Sequence, residues 1–505
     1  MLRILGSAKK LCDGWTRREM LCAGGWSALC LSMADLLRFR AAQAAESQAP
    51  GAALPRPSFG KAKSCIILYL YGAPSQLELY DLKPAAPEEI RGTFKPIATS
   101  LPGLQICEHL PRMARIMDRA TVVRSMTHPY NIHSAAYALT GVPHVDIPME
   151  INPVDTRHWP FIGSVLDYLE DERNPGAPPP AVPRNVGLPF QFSSRSPEFT
   201  RGGPYGGFLG PAYNPVWTEF EGSATTPIDR WRGDRDSSVA DPYAGIGRDS
   251  RFLLASAAQL PPEITLDRLS SRRTLVQQFD RARRSLGDTP TARGMDRFKE
   301  MAYSLMTSEK MRSALDLQRE PIALREKYGI TLFGQATLVA RRLIEAGVKL
   351  ATVFWDEYQL ANTAWDTHFD HFTRLKDELL PGLDQAFSAL IEDLEARGLL
   401  DETLVMCISE HGRTPRLTKV RGGGREHWSR VYSGLFAGGG IARGNVVGES
   451  DKHASDPIKR PVSPKDILAT AYHLLGIDHR RTLIDRLNRP LPLVADGEVV
   501  GEMLA

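Results

Sequence analysis

Short runs of apolar and β-branched residues recur along the chain, and each run ends in a turn that carries polar side chains. Five such runs stand out, at positions 64–71, 120–126, 348–355, 402–408 and 433–440. They show little alternation of polar and apolar residues, which is typical of parallel strands buried on both faces. Helix-patterned segments separate most of the runs. Strand and helix in alternation predict an α/β fold with a mainly parallel sheet.

Helices are predicted in the second half of the chain. Residues 337–347 have helical spacing, with Arg341 on the outward face. A long amphipathic helix is predicted over 371–397, with an interruption near Pro381. A further helix begins with Ser463 as its N-cap.

The composition is that of an ordinary globular protein, since 42% of the 505 residues are hydrophobic and 24% are charged. The first 45 residues hold seven Lys and Arg against three Asp and Glu, so they contribute +4 to a net charge of +3, and the remainder carries −1. This near-neutral balance argues against nucleic-acid binding. Beyond this segment lie Cys65, Cys107 and Cys407, which we expect to be small buried side chains without disulfides.

The N-terminal segment has the pattern of a twin-arginine signal peptide. Arg17 and Arg18 precede a moderately apolar stretch at 21–37, and Ala-Gln-Ala at 42–44 is an A-x-A-like cleavage site. We therefore predict a signal peptide over 1–45, recognition by the twin-arginine export machinery, and export to the periplasm or secretion. No later run is long and apolar enough to span a bilayer, so no stable membrane anchor is expected.

Composition also predicts the domain boundaries. Residues 46–62 are rich in Ala, Pro and Ser and are predicted to be a linker before one domain over 63–500. Pro and Gly punctuate 170–247, and 262–320 is charged and helix-patterned. The stretch from about 170 to 320 is too long for a simple connection. It is predicted to be an insertion, either shaping a pocket or decorating the sheet.

The polar residues after the fourth apolar run include a carboxylate, two imidazoles and two arginines. Glu410 and His411 follow the run directly, Arg413 comes two residues later, and Arg425 and His427 lie beyond a Gly-rich loop. In open α/β sheets, ligands bind beyond the carboxyl ends of the strands. Carboxylates and imidazoles there suit a metal ion, and the arginines suit an anion.

Two more runs are followed by candidate metal ligands. Asp366, His368 and Asp370 follow the third run, and Asp366 and Asp370 share a face if a helix begins inside the cluster. After the first run, Glu78 is the better candidate for a carboxylate ligand and Asp81 is the next.

The second run ends in a polar stretch that leads into a small-residue helix. Here His133 is a candidate metal ligand or acid, and Asn131 or Ser134 can face an oxyanion. The free amides at a helix N-terminus favour such anions. A loop histidine without a function is the alternative.

Together these groups form a mixed nitrogen and oxygen donor set. Such sets suit zinc, manganese or iron, and their carboxylates also admit magnesium or calcium. Two ions about 4 Å apart would hold the attacking and leaving oxygens of a phosphoryl or sulfuryl transfer. Arg413 and Arg425 could clamp the remaining oxygens. The sequence thus predicts one or two divalent ions, whether Zn, Mn, Mg or Ca.

The motifs that carry these residues resemble those of a known family. Besides the twin-arginine leader they are Gly72-Ala73-Pro74-Ser75-Gln76, His133-Ser134, Trp365-Asp366-Thr367-His368, Glu410-His411-Gly412-Arg413-Thr414-Pro415 and Glu426-His427-Trp428. The combination is similar to the exported bacterial "domain of unknown function 1501" family, over about residues 60 to 500. That family is placed in the alkaline phosphatase-like and sulfatase superfamily. The resemblance implies a three-layer α/β/α sandwich and metal-dependent hydrolysis of phosphate or sulfate esters.

The resemblance also implies roles by position. Matches to the superfamily's metal ligands are Glu410 with His411 for its Asp-His pair, His427 for its last histidine, Asp366 with His368 or Asp370 for the earlier pair, and Glu78 or Asp81 for the carboxylate after the first strand. Asn131 stands where sulfatases have their nucleophile. This departure leaves attack by a metal hydroxide or by His133 as the alternatives.

Three hypotheses about function follow. The first is an exported metal-dependent hydrolase of phosphate or sulfate esters that acts on a small molecule or a glycan ester. The second is a non-catalytic exported binding protein that retains the fold, which Asn131 at the nucleophile position favours. A metal-dependent mutase or transferase is a third, and export to a compartment poor in phosphorylated metabolites argues against it.

Overall fold

The structure is a computed structural model of the chain. It describes residues 58–505 except for 134, 143–151, 153, 154, 156, 176, 178, 179, 197–200, 232–235, 255–296, 298–300, 303, 306 and 486. Ser58–Ala505 form one compact unit. The predicted signal peptide, most of the predicted linker, Ser134 and much of the helical part of the predicted insertion lie outside the described residues. Within the described residues, no helix is long and apolar enough to cross a membrane.

A nine-stranded sheet forms the centre of the described unit. Its strands are β1 (Ser64–Leu70), β2 (Ala120–Met126), β3 (Asn185–Leu188), β4 (Val216–Glu221), β5 (Arg251–Leu254), β6 (Leu350–Trp355), β7 (Thr403–Ile408), β8 (Tyr432–Ala437) and β9 (Asn445–Val447). Their spatial order is β9-β2-β8-β7-β1-β6-β3-β4-β5. Only the pairs that involve β8 or β5 are antiparallel. The predicted α/β fold with a mainly parallel sheet is confirmed.

Helices pack against this sheet and against one another. They are α1 (Glu88–Arg91), α2 (Pro111–Ala114), α3 (Ala135–Thr140), α4 (Ile162–Arg173), α5 (Glu309–Leu315), α6 (Ile322–Tyr328), α7 (Leu332–Ala346), α8 (His371–Arg374), α9 (Leu380–Ala396) and α10 (Pro464–Leu474). α7 packs on β6 and β1, and α9 packs on α7. A short antiparallel pair, Gly412–Arg413 with His427–Trp428, lies between β7 and β8 in the chain.

The centre of the sheet brings several loops to one edge. Every residue of β1, β6 and β7 is buried, which requires cover on both faces, as in the predicted three-layer sandwich. Leu70 pairs with Trp355 and Tyr69 pairs with Ile408, so these three parallel strands end at the same level. Met126, the last residue of β2, pairs with Tyr432, the first residue of β8. The segments that follow β1, β2, β6 and β7 and precede β8 therefore meet at the carboxyl edge.

Part of the predicted insertion continues the sheet. The strands β3, β4 and β5 all lie inside the stretch from 170 to 320, and β3 pairs in parallel with β6. β3 has only four residues, all of them buried. A run this short has no periodicity that distinguishes it from a loop, so only its pairing with β6 and β4 identifies it as a strand.

Other predicted boundaries agree with the structure to within about three residues, except that α7 begins at Leu332, five residues before the predicted start at 337. Ser463 caps α10 in a capping box with Asp466. The predicted helix over 371–397 consists of α8, a π-helical turn at Leu375–Leu379 and α9, with Pro381 in the first turn of α9. Cys65, Cys107 and Cys407 are buried and free, as predicted.

The Gly60 and Ala62 amides also donate to carbonyls at the end of α10. The folded unit thus begins before the predicted boundary at residue 63.

Arg341 on α7 corrects the helix prediction, because it faces inward. Its side chain has no exposed surface and pairs with Glu320 (Nη2 to Oε1, 2.7 Å), Asp393 (Nε to Oδ2, 2.9 Å) and Glu345. The Tyr328 hydroxyl donates to the same Asp393 oxygen. Asp393 lies on α9, which covers this face of α7. The spacing along α7 alone does not reveal that a second helix supplies the acidic partner.

We predict that Arg341→Ala lowers the free energy of unfolding by about 3 kcal/mol, because it removes the fully buried cation that Glu320 and Asp393 share and leaves them only the less buried Arg342 and Arg397. Arg397→Ala is the matched control, since the Arg397 side chain contacts the same acids but is 35% exposed. Its loss should cost under about 1 kcal/mol. Urea unfolding followed by circular dichroism measures both, and equal midpoints for the two variants would contradict the prediction.

Candidate metal centre

Five potential metal ligands converge at the carboxyl edge of the sheet. His133 follows β2, Asp366 and His368 follow β6, His411 follows β7, and His427 precedes β8. Their ligand atoms form two groups, His133 with His411 and His427, and Asp366 with His368 and His427. Within each group the atoms lie within 4.8 Å of one another. His427 belongs to both groups, so the two form one continuous centre.

The first group contains buried nitrogens that lack hydrogen bonds. Among the residues that the structure describes, the Nε2 atoms of His133 and His411 have no hydrogen-bond partner. The His427 ring lies 4.2 Å from the His133 ring and 4.9 Å from the His411 ring, centroid to centroid. A buried polar atom without a partner costs stability unless an ion or water meets it. A cation between these three imidazoles would satisfy both nitrogens.

Oxygen atoms hold the opposite nitrogens of three of the imidazoles. His411 Nδ1 lies 2.9 Å from the Gly412 carbonyl, His133 Nδ1 lies 2.8 Å from Glu410 Oε1, and His368 Nδ1 lies 2.7 Å from Glu426 Oε2. Carbonyl and carboxylate oxygens only accept, so each Nδ1 carries the proton. In the neutral imidazole, Nε2 then keeps its lone pair. This is the usual arrangement of metal-ligating histidines.

The second group has the spacing of ligands around one ion. Asp366 Oδ1 lies 3.0 Å from His368 Nε2 and 3.4 Å from His427 Nε2, and the two nitrogens are 3.1 Å apart. Tetrahedral zinc with bonds of about 2.0–2.1 Å has ligand atoms about 3.4 Å apart. The His368 and His427 side chains are 20% and 25% exposed, so this side of the centre is open to solvent.

Burial and neighbouring charges set the protonation of the centre. Burial alone would raise the pKa of Asp366, but Arg413 and His133 hold it well below its usual value. Burial opposes the charged form of His133, but Asp366, whose Oδ2 lies 3.5 Å from His133 Nε2, and Glu410 raise its pKa to about 9. Without a metal ion His133 is therefore protonated near neutral pH, and it has to release that proton to act as a ligand. Burial and the charge of His133 lower the pKa of both His411 and His427. The last two are thus neutral imidazoles, the form that binds metals.

Glu410 lies behind His133 in the structure. Its Oε1 accepts hydrogen bonds from the Gly72 amide and from His133, both at 2.8 Å, and its Oε2 accepts one from the Ser409 hydroxyl at 2.8 Å. It belongs to neither group of ligand atoms in the described part of the chain. Of the predicted pair Glu410 and His411, the structure therefore directs only His411 at the centre.

Arg413 is completely buried and binds several loops at once. It donates to the carbonyls of Gly72, Ala73 and Arg425 and to Asp366 Oδ1. These contacts orient Asp366 toward the histidines. With its donors engaged in this way, the anion-binding role of Arg413 stays a prediction.

Glu78 and Arg425 form a separate buried group with His371. Arg425 donates to Glu78 Oε1 through Nη2 (2.5 Å) and Nε (3.2 Å), and His371 Nε2 lies 3.2 Å from Glu78 Oε2. Burial would raise the pKa of Glu78, but Arg425 and His371 lower it to about 2. Glu78 is thus the counter-ion of Arg425 and lies outside both groups of ligand atoms found among the described residues. The roles predicted for Glu78 as a metal ligand and for Arg425 as an anion clamp stay predictions.

The remaining candidate site residues lie away from the two groups of ligand atoms or outside the described residues. Asp370 precedes α8 with a φ of 48° and lies 3.4 Å from Arg421, and it joins neither group of ligand atoms within the described chain. Asn131 is exposed, and its side-chain amide donates to the His427 carbonyl at 3.0 Å. Ser134 lies outside the described residues.

Sequence reasoning did not single out the groups that support the ligands. The Gly72 amide, the Gly412 carbonyl and the Glu426 carboxylate each position a candidate ligand or the residue behind it. Glu426 stands next to His427 in the sequence, so a search for acceptors beside each ligand would have found it. Backbone groups leave no such signal in the sequence.

The chain is similar to one protein family and to several solved structures. The profile of the family described as "Protein of unknown function (DUF1501)" matches residues 62–504. No curated protein matches the chain. Similar solved structures are Ps i-CgsB (12% identity, covering 86% of this chain and 75% of that chain, TM-score 0.36), the PsFucS1 sulfatase from Pseudoalteromonas sp. (12%, 83% and 69%, 0.35) and the phosphonate monoester hydrolase SpPMH from Silicibacter pomeroyi (12%, 87% and 76%, 0.36).

At 12% identity and TM-scores of 0.35–0.36, these likenesses assign no activity to the chain. The family profile spans almost the whole described unit. The chain therefore belongs to the DUF1501 family.

Proposed function

We propose that the protein is an exported, metal-dependent hydrolase of phosphate or sulfate esters. The observation that carries the proposal is the convergence of four imidazoles and Asp366 from separate loops, with acceptors behind three of the imidazoles. Structural histidines seldom need such a set of free and oriented nitrogens. The twin arginine and the apolar stretch within residues 1–45 support export.

The donor set indicates the kind of ion. An imidazole-rich site with one carboxylate suits Zn²⁺ or Mn²⁺ better than Mg²⁺ or Ca²⁺, which prefer oxygen ligands. His133, His411 and His427 would hold one ion, and Asp366 and His368 would share His427 with it or hold a second. When bound, such an ion polarises the ester and activates a water for attack.

The protein's own contribution is orientation. Glu410 holds the His133 ring through Nδ1, and Arg413 holds Asp366 through Oδ1. The Gly412 carbonyl holds His411 in the tautomer whose Nε2 faces the centre. His368 and His427 lie on the partly exposed side, where an ester can approach from solvent.

A non-catalytic binding protein with the same centre is the second candidate. Asn131 occupies the position that corresponds to the sulfatase nucleophile, and its amide donates to the His427 carbonyl. An amide is not a nucleophile, so the hydrolase reading requires the nucleophile to come from elsewhere.

We predict that His411→Ala and His427→Ala each lower the metal content of the folded protein, because each removes a ligand nitrogen. Elemental mass spectrometry of the purified protein, residues 46–505, measures the content. His453→Ala is the control, since His453 is half-buried and lies outside both ligand groups. Unchanged metal content in both ligand variants would contradict the proposal.

Glu410→Gln should weaken metal binding by about 10- to 100-fold, because it removes the charge that orients and polarises His133. Glu426→Gln is the matched change at the partly exposed His368, and there solvent screening should make the loss smaller. Competition with a fluorescent chelator yields both dissociation constants. A larger loss in the Glu426 variant would contradict this ranking.

Asp366→Asn should abolish turnover of 4-nitrophenyl phosphate or 4-nitrophenyl sulfate by the metal-loaded protein, and a chelator should do the same. Asp370→Asn should keep the activity, because Asp370 pairs with Arg421 away from the ligands. An amide also tolerates the positive φ at that position. No turnover of any ester by the metal-loaded wild type would favour the binding-protein candidate, and equal loss in both variants would reject the assignment of Asp366.

A further inference from the structure

A cavity of about 570 Å³ lies next to the metal centre and is separate from its ligands. Its lining includes His128, Tyr130, Tyr137, Arg430, Ser463 and Lys465. The volume is within the range of about 300–1,000 Å³ that is typical of small-molecule sites. None of the lining residues was predicted from the sequence to be a site residue.

The cavity and the centre share one segment of backbone, from Thr127 to His133. His128 Nε2 lies 2.7 Å from the Glu410 carbonyl, and Glu410 in turn holds His133. The His128 backbone amide donates to the Ser429 carbonyl, two residues beyond His427. The segment that lines the cavity therefore also carries His133, a candidate ligand of the centre.

Aromatic rings form one side of the cavity. Tyr130 and Tyr137 meet edge to face with centroids 5.1 Å apart, and the His128 ring stacks near Tyr130. His128 accepts the Tyr130 amide through Nδ1 and donates to the Glu410 carbonyl through Nε2, so both its nitrogens are engaged. These rings offer apolar surface to a flat ligand and no free charge of their own.

Two cations lie on the other side, and both are at least partly exposed. Arg430 pairs with Asp456 through Nε (2.7 Å) and Nη2 (2.5 Å) and lies over the Trp428 ring, but the Arg430 side chain is 63% exposed, and solvent weakens such pairs. Lys465 Nζ is 4.0 Å from an Asp496 carboxylate that is 91% exposed. The nearby N-terminus of α10 is already occupied, because Asp466 and Ser463 cap it. Attraction for an anion in the cavity therefore comes from Arg430 and Lys465.

We propose that this cavity is a substrate subsite for a ring that carries its own negative charge, as in a sulfated or phosphorylated sugar or an acidic aromatic compound. This inference rests on the proposed hydrolase function, since the ester to be cleaved would lie at the metal centre. Rings on tyrosine surfaces and anions beside Arg and Lys are the interactions that such a ligand requires. The subsite selects esters whose leaving group carries a second anionic group.

Isothermal titration of the metal-loaded protein with glucuronate and with benzoate, which carry a charged ring but no ester, tests the subsite and distinguishes the two kinds of ring. Binding should weaken by about tenfold in Arg430→Gln and in Lys465→Gln, because each removes one charge-assisted contact. Arg430→Lys should retain most of the affinity. Glucose and phenol should bind the wild type and these variants equally weakly. All pocket variants should keep the wild-type metal content and circular dichroism spectrum, which separates a lost contact from a lost fold.

The same titration with His411→Ala separates this inference from the proposed function. If the subsite is independent of the metal, both anionic probes bind this variant. A protein that binds the probes but hydrolyses no ester would support the subsite and contradict the hydrolase proposal. Unchanged affinity in both Gln variants, or no saturable binding of either probe by the wild type, would overturn the subsite.

Discussion

Arg413 brings a full positive charge into a region without solvent, and the geometry of the candidate centre depends on how that charge is satisfied. Its guanidinium contacts the carbonyls of the loop after β1, the carbonyl of Arg425 and the carboxylate of Asp366. A buried cation is tolerated only when its hydrogen bonds are nearly complete. The loop after β1, the loop after β6 and the short strand pair before β8 therefore have to keep their relative positions. Asp366 can face the histidines because Arg413 holds it there.

Parallel register explains why separate parts of the chain supply one centre. β1 pairs with β6 and β7 so that all three end at one edge, and the antiparallel β8 begins where β2 ends. Ligands from chain positions as far apart as His133 and His427 thus become neighbours. Rigid strands on both sides limit the movement of these loops, which favours preorganised metal binding. The same edge also forms the cavity beside Arg430 and Lys465.

The buried charges of this edge divide into neighbouring but distinct groups. Arg413 pairs with Asp366, Arg425 pairs with Glu78, and Glu410 pairs with His133. Each of these carboxylates lies beside its own cation. Of the three, only Asp366 also belongs to a group of ligand atoms in the described chain. The division explains why residues of similar chemistry, all at strand ends, differ in whether they can reach a metal ion. The pKa of His411 and of His427 is lowered, first by burial and then by the nearby positive charge of His133, so both are neutral.

The apolar runs and the polar turns after them were sufficient to predict the sheet, its main strands and the edge where ligands gather, because burial on both faces leaves a local pattern. They also pointed to Asp366, His368, His411 and His427, which the structure brings together. Tertiary structure alone decided that Glu78 and Glu410 face Arg425 and His133, that Arg341 faces inward, and that β3 is a strand. In each of these cases the deciding partner lies far away in the chain or in another packed element. Local sequence reports which residues can be buried or can bind a metal, whereas the choice of partner for each buried charge is made by packing between distant segments.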